Sequence, residues 1–156
     1  MRLTSDILIE RSPEKVWSFL GDPANVAKWD RGVAGVEETS SDPRAVGFEF
    51  DTVAPERRNL PDRGRMSYRI REVDEAGGRC VVELTSRSGN ARFFRAAAWH
   101  FHVAAYESGS RLTCTAEFTL RVRYLFLGPL LYLKRSAILQ DLTLLKNAVE
   151  GAPVQK

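Results

Sequence analysis

The sequence lacks the features that mark membrane-spanning or exported proteins. Its longest apolar run, 125–133, is interrupted by a glycine and a proline and is far too short to cross a bilayer. The first residues contain no unbroken apolar stretch of the signal-peptide kind. We therefore expect a cytoplasmic protein with no integral membrane contact.

Cysteine is scarce, since the chain contains only Cys80 and Cys114, and two cysteines make no zinc motif. Both fall within apolar strand patterns, on strands that we place two apart in the sheet. Neighbouring strands lie about 4.8 Å apart, so the two thiols are expected to be beyond disulfide reach. We predict two buried thiols that act as small hydrophobic side chains.

The short motifs of common enzyme classes are also missing. The chain has no Ser-His-Asp order, no glycine-rich phosphate loop and no dinucleotide-binding fingerprint. His100 and His102 share a strand face, but that face is predicted to be the exposed one and no third metal ligand accompanies them. Glu83 and Glu117 are predicted on the exposed face as well, which gives no support to a glycosidase-like carboxylate pair. We expect neither a metal nor a cofactor.

The composition is typical of one globular domain. The 156 residues, 44% hydrophobic and 28% charged, are enough to form a substantial core. The net charge of +3 comes from 23 basic residues, mostly arginine, against 20 acidic ones. The arginines are scattered, apart from a concentration between 57 and 71, which favours a solvated strand face and loop over a nucleic-acid surface. We predict a single domain at 1–151, a short tail at 152–156 and no nucleic-acid partner.

Alternating apolar and polar residues predict strands along most of the chain. Leu3, Ile7 and Ile9 mark the first strand. Further strands, separated by glycine-containing turns such as Gly77-Gly78, continue to about residue 122. Consecutive hairpins of this kind indicate an antiparallel meander with one wet face.

Three start signals predict helices. Ser12-Pro13-Glu14 begins a short helix after the first strand, and Asp22-Pro23 begins a second that ends near Trp29. Gly128-Pro129 begins a long last helix, which we expect to run to about residue 150 and to end at Gly151.

Four local phrases, at 9–20, 22–29, 109–113 and 142–150, resemble the polyketide cyclase/dehydrase branch of the START-like, or SRPBCC, superfamily. With the order of elements, the resemblance covers almost the whole chain. It implies the α+β helix-grip fold, also called birch-pollen-allergen-like: a seven-stranded curved antiparallel sheet around a long C-terminal helix, with two short helices after strand 1. It also implies a deep cavity between sheet and helix, although such proteins share no catalytic motif.

Strand parity and helix periodicity indicate which polar side chains face such a cavity. Ser5, Thr52, Tyr68 and Arg95 share the parity of the apolar strand positions. Lys134 and Asp141 interrupt the apolar face of the last helix. Four of these residues also have a structural interpretation that requires no cavity. Tyr68 would be a core aromatic residue, Arg95 and Lys134 would extend to solvent, and Asp141 would pair with a strand arginine.

We predict that the cavity holds a small hydrophobic molecule, whether lipid, polyketide-like or aromatic, without catalysis. The predicted lining consists of apolar side chains and a few polar anchors: Phe48, Phe50, Tyr68, Leu84, Arg95, Trp99, Phe101, Cys114, Phe118, Lys134, Ile138, Asp141 and Leu142. We expect a monomer or weak homodimer.

Two other interpretations stay open. In an enzyme of the cyclase or dehydratase kind, the interior acid–base candidates are Tyr68, Arg95, Lys134 and Asp141. In a regulatory or interaction protein, a surface patch would bind the partner, and we expect that patch in the segment 123–133.

Overall fold

One antiparallel sheet of seven strands forms the frame of the protein. The computed structural model describes residues 1–38, 42–55, 64–86, 89–133 and 136–151, so the predicted tail at 152–156 lies outside the described residues. The strands are β1 (Arg2–Ile9), β2 (Gly35–Glu38), β3 (Glu49–Val53), β4 (Arg65–Asp74), β5 (Arg79–Leu84), β6 (Phe94–Tyr106) and β7 (Gly109–Leu120). Their order in the sheet is β1-β7-β6-β5-β4-β3-β2. The predicted α+β class is confirmed.

The tight turn between β4 and β5 depends on Gly78. Its φ of +62° lies in the left-handed region that favours glycine, and an added Cβ would lie 2.2 Å from the carbonyl oxygen of Val103. The Gly78 carbonyl in turn accepts a hydrogen bond from the Val103 N–H at 2.8 Å. The turn is thereby fixed against β6, as the Gly77-Gly78 pair predicted.

The two cysteines lie two strands apart, as predicted. Cys80 on β5 and Cys114 on β7 both pair with Phe101 on the intervening strand β6. Both are free thiols. Burial raises the pKa of Cys80 to about 11 and that of Cys114 to about 12, so both are neutral near pH 7.

Two short helical segments follow β1, as predicted. They are α1 (Pro13–Leu20) and a 3₁₀ turn (Pro23–Asn25) that continues into α2 (Val26–Trp29). The Asp22 carboxylate accepts a hydrogen bond from the Ala24 N–H at 3.0 Å and so caps the second segment. Buried Asn25 donates from its side chain to the Phe19 carbonyl at 2.9 Å, which fixes α2 against the end of α1.

The C-terminal part of the chain is helical. After the 3₁₀ helix Val122–Leu127 come α3 (Gly128–Leu133) and α4 (Ser136–Glu150). The sequence predicted one helix over this range, and residues 134 and 135 between α3 and α4 lie outside the described residues. Gly151, with φ +78°, ends α4 as predicted. No helix in the described ranges is long and apolar enough to span a membrane.

The core consists of two clusters. The larger joins α1 and α4 to strands β1, β6 and β7, and its buried members are Ile9, Val16, Phe101, Val103, Leu112, Cys114, Leu142, Leu145 and Val149. The smaller, formed by Phe48, Phe50 and Ile70, lies on β3 and β4 and the residue before β3. Half-buried Val82 on β5 packs against both clusters. The candidate site lies between them.

Candidate functional site

A cavity of about 130 Å³ lies between the inner face of the sheet, the α1–α2 segment and α4. It is lined by Leu20, Gly21, Pro23, Val26, Trp29, Asp30, Phe50, Thr52, Tyr68, Ile70, Cys80, Val82, Trp99, Phe101, Cys114, Ile138, Asp141 and Leu142. An apolar cavity of about 150 Å³ can hold benzene, whereas pockets for drug-sized ligands measure roughly 300–1,000 Å³. The space therefore suits a molecule with one ring.

Aromatic side chains form a continuous row across the inner face of the sheet. The Tyr68 ring lies 5.5 Å from Phe50 in a stacked arrangement and 5.5 Å from Trp99 edge-on. Phe48 stacks behind Phe50 at 6.1 Å, and Phe118 packs edge-on against Trp99 at 5.6 Å. Aromatic pairs at these spacings add to the stability gained from burial, so this wall of the cavity is held firmly.

Two carboxyl groups border this apolar space. Asp30 follows α2 directly, and its N–H donates to the Val26 carbonyl at 2.9 Å, while its carboxylate accepts from the Gly32 N–H at 2.7 Å. Asp141 lies on α4, which packs against α2. The contact between the two helices therefore brings both acids to the same cavity.

Burial changes the acidity of both groups. It raises the pKa of Asp30, partly offset by the hydrogen bond from Gly32. It also raises the pKa of Asp141 to about 7, helped by the charge of Asp30 and opposed by the charge and backbone N–H of Arg31. Near neutral pH, Asp141 is divided between its protonated and charged forms.

The charge of Asp30 also affects Tyr68, which lines the same cavity. Burial and then the charge of Asp30 raise the pKa of Tyr68, so its hydroxyl keeps its proton. That hydroxyl is 3.9 Å from the Met66 sulfur, which is a weak contact. The Thr52 hydroxyl donates to the Met66 carbonyl over a long 3.4 Å. The Thr52 side chain is also a hydrogen-bond partner of the Tyr68 hydroxyl, so the two hydroxyl groups are linked to each other at the cavity wall.

The cavity wall is acidic in its charge balance. Asp30 and Asp141 are the charged side chains among its described lining residues, which include no lysine, arginine or histidine. Arg31, the basic residue that acts on Asp141, is exposed and donates to the Gln140 side chain on α4 at 3.3 Å. The sequence allowed a pairing of Asp141 with a strand arginine. In the structure, Asp141 interacts instead with Arg31, which lies just after α2.

Most of the predicted lining residues lie together on this cavity. They are Phe50, Tyr68, Trp99, Phe101, Cys114, Ile138, Asp141 and Leu142. Phe48 and Phe118 are not lining residues but support the aromatic row from behind. Leu84 lies at the end of β5, where it borders a groove on the outer face. Lys134 lies outside the described residues.

The placement of Arg95 in the cavity was wrong. Arg95 is exposed and lines a groove on the outer face of the sheet together with Arg69, Glu83 and Glu117. The register of β6 against β7 shifts by one residue between Phe94 and Ala96. This bulge makes Arg95 an extra residue, so parity counted back from the inner residues of β6 fails there.

Sequence reasoning missed the contribution of the segment after α1. Asp30, Trp29, Val26 and Pro23 all line the cavity, yet a helix as short as α2 has no periodicity from which to read its inner face. No local pattern in the sequence marks Asp30 as a cavity residue. Strand parity predicts Thr52 on the inner face, and Thr52 lines the cavity although the predicted lining did not include it.

Comparisons with known proteins agree with this architecture. The structure is similar to that of a protein from Thermus thermophilus, with a TM-score of 0.75, 16% identity, and coverage of 99% of this chain and 100% of that chain. It is similar to the Zhui aromatase/cyclase from Streptomyces sp. R1128, with a TM-score of 0.75, 12% identity and coverage of 96% and 92%. These likenesses confirm the predicted helix-grip fold.

A third similar structure is norcoclaurine synthase from Thalictrum flavum in complex with dopamine and hydroxybenzaldehyde. Its TM-score is 0.72 at 13% identity, and the match covers 99% of this chain and 89% of that chain. None of the curated proteins matches the sequence significantly. The family described as polyketide cyclase / dehydrase and lipid transport matches residues 1–150. The chain therefore belongs to the polyketide cyclase/dehydrase and lipid transport family, as its local phrases had indicated.

Proposed function

We propose that the protein binds a small one-ring molecule carrying a cationic or hydrogen-bond-donating group, and that it does so without catalysis. The observation that carries this proposal is the cavity of about 130 Å³, whose mainly apolar wall contains two carboxyl groups and no basic side chain among the described residues. The apolar wall would take the ring, and Asp30 and Asp141 would take the polar group.

The size of the cavity supports a small ligand over a long one. A linear polyketide or a lipid chain needs several times the space of one ring. The aromatic row of Phe50, Tyr68 and Trp99 is fixed by mutual packing, and widening the cavity would have to disrupt it. The long-chain ligands that the sequence allowed are therefore less suited to this space.

The charge of the cavity supports a cation or a donor over an anion. Placing a third negative group beside Asp30 and Asp141 would add repulsion between like charges. An ammonium group would instead pair with the charged form of Asp141. The likeness to a norcoclaurine synthase structure holding dopamine and hydroxybenzaldehyde supports one-ring molecules as ligands for this fold.

Calorimetric titration with three matched probes tests the proposal. At a pH above 7 we expect benzylamine to bind more tightly than benzyl alcohol, and benzoate to bind least. Replacing Ile138 by Trp should fill the cavity and abolish binding of all three, whereas Leu139→Trp, on the exposed side of the same helix, should leave binding unchanged. Benzoate binding as tightly as benzylamine, or binding that survives Ile138→Trp, would contradict the proposal.

One observation favours a second function, proton-transfer catalysis on a similarly small substrate. A carboxyl with a pKa of about 7 is well suited to act as a general acid or base near neutral pH. The Tyr68 hydroxyl, which keeps its proton and lines the same cavity, could donate to the same substrate. In this case Asp141 would protonate or deprotonate a one-ring ketone or alcohol, as a dehydratase does.

Hydrogen exchange distinguishes this alternative from binding alone. If the protein catalyses proton transfer, the α-hydrogens of phenylacetone should exchange in D₂O faster with protein than without, as followed by NMR. Asp141→Asn should then lower the rate by about 10²-fold or more, while Asp6→Asn on the exposed side of β1 should not. No acceleration by the wild-type protein would leave binding as the function.

A further inference from the structure

Large apolar side chains are exposed together in the segment just before α4. Val122, Leu125, Phe126, Leu130, Tyr132 and Leu133 are each more than half exposed, with Val122 at 84% and Leu133 at 76%. Elsewhere in the described ranges, the exposed large hydrophobic residues are Met1, Leu8, Val46 and Leu139. Exposed apolar surface concentrated in this way marks an interaction site more often than chance.

This segment, which we call the apolar segment (residues 121–133), is attached to the sheet at its start. The Arg121 N–H donates to the Phe93 carbonyl at 3.1 Å, and its guanidinium donates to the Phe94 carbonyl, also at 3.1 Å. The Tyr124 ring packs edge-on against Phe93 at 5.0 Å. Arg121 and Tyr124 therefore hold the start of the segment in place, and the apolar side chains that follow are exposed to solvent.

The apolar segment and its neighbours in the sequence carry charge of one sign. From residue 118 to residue 140 the sequence contains no aspartate or glutamate, whereas positions 121, 123, 134 and 135 are basic. The exposed Arg123 guanidinium lies 4.8 Å from the Tyr124 ring. Arg92, also exposed, lies 5.2 Å from the Phe93 ring on which the segment packs. Arginines therefore border the exposed apolar side chains.

We propose that the apolar segment docks the protein on an anionic lipid surface. Val122, Phe126 and Leu133 would enter the interface below the lipid headgroups, while Arg123 and Arg92 would contact anionic headgroups. Exposed apolar side chains with basic residues beside them favour binding at the interface of an anionic membrane. This surface is distinct from the cavity, so the inference is independent of the proposed ligand.

Charge argues against a second copy of this chain as the occupant. A twofold contact through the apolar segment would bring the arginines of both copies together. The segment itself offers no carboxylate to pair with them. Anionic lipid supplies the complementary charge that the apolar segment of a second copy lacks.

Vesicle flotation tests the proposal on the full chain. We expect binding to phosphatidylcholine vesicles containing about one third phosphatidylserine, and little binding to phosphatidylcholine alone. Phe126→Ser should weaken binding about tenfold or more, and Arg123→Gln about fivefold. The matched controls Val46→Ser and Arg71→Gln, exposed residues elsewhere on the surface, should bind as the wild type does. Unchanged thermal unfolding of each variant shows that the fold is retained.

Three results would overturn the proposal. They are absence of binding to the anionic vesicles, equal binding to both vesicle types, and equal loss in the control variants. Analytical ultracentrifugation without lipid supplies a further check, because a dimer that Phe126→Ser dissociates would reassign the apolar segment to a second copy of the chain.

Discussion

The two ends of the C-terminal helical region lie in opposite environments. At the closed end of α4, Leu145 is 0% and Val149 is 7% exposed. The Glu150 carboxylate there accepts a hydrogen bond from the Glu10 N–H at 2.7 Å, and the Glu150 carbonyl accepts one from Arg11 at 2.8 Å. This end of the helix is sealed by packing and by hydrogen bonds to the chain after β1.

At the open end, the start of α4 and the apolar segment before it leave part of their apolar surface without close packing. Ile138 and Asp141 border a cavity rather than a close-packed core, and the apolar segment before α4 exposes its side chains to solvent. We infer that the closed end of α4 stabilises the fold, whereas the open end is available to bind a ligand or another surface.

The largest effect is expected at the closed end. Leu145→Ala removes a fully buried side chain from the larger core cluster, and we expect the free energy of unfolding to fall by about 3 kcal/mol. Leu130→Ala, at an exposed position in α3, should change it by less than about 0.5 kcal/mol. Urea denaturation measures both, and equal losses would contradict the division between the two ends.

An intermediate effect is expected where the closed end is tied to β1. Glu150→Gln weakens the bond from the Glu10 N–H by removing the charge of the acceptor, so the free energy of unfolding should fall by about 1 kcal/mol. The change also removes the 3.8 Å ion pair with Lys146, which contributes little. Lys146→Gln is therefore the control, and its effect should be the smaller of the two in urea denaturation.

An effect of similar size but opposite sign is expected at the open end, and it vanishes at low pH. Asp141 has a pKa raised from 3.8 to about 7 in the folded protein, so its proton is held more tightly there than in the unfolded chain. Its contribution to stability therefore falls as the pH rises from about 4 to about 7, and is constant above that. Asp141→Asn should stabilise the protein by about 1 kcal/mol above pH 7, since partial exposure screens the full effect.

The same variant should match the wild type near pH 4, where the Asp141 carboxyl is protonated in both folded and unfolded protein. Urea denaturation at both pH values measures the difference. Asp6→Asn, at an exposed position on β1, is the control and should show no such pH dependence. Destabilisation by Asp141→Asn above pH 7 would mean that the carboxylate serves the fold, which would remove the contrast with the closed end.

Periodicity explains which parts of this structure could be predicted. Strand alternation placed Tyr68, Trp99 and Phe101 on the inner face, and helical spacing placed Leu142 and Asp141 on the inner side of α4, because side-chain direction follows directly from the repeat. The positions of Cys80 and Cys114 followed from the order of the hairpins. Each of these inferences needed only local regularity.

The remaining features depend on contacts between distant parts of the chain. A single extra residue in β6 turned Arg95 to the outer face, and bulges leave little trace in the sequence. Asp30 reaches the cavity because α2 packs on α4, which no local pattern encodes. The volume of the cavity depends on how closely the two core clusters approach, and this is a property of packing alone.

Binding of a small cation in the acidic cavity at the open end can be tested by the pH dependence of benzylamine affinity. As Asp141 loses its proton around pH 7, the affinity should rise about tenfold between about pH 6 and about pH 8. Asp141→Asn should abolish this rise, and the affinity for neutral benzyl alcohol should not show it. Benzylamine affinity that is equal at both pH values, or that rises equally in Asp141→Asn, would contradict the account.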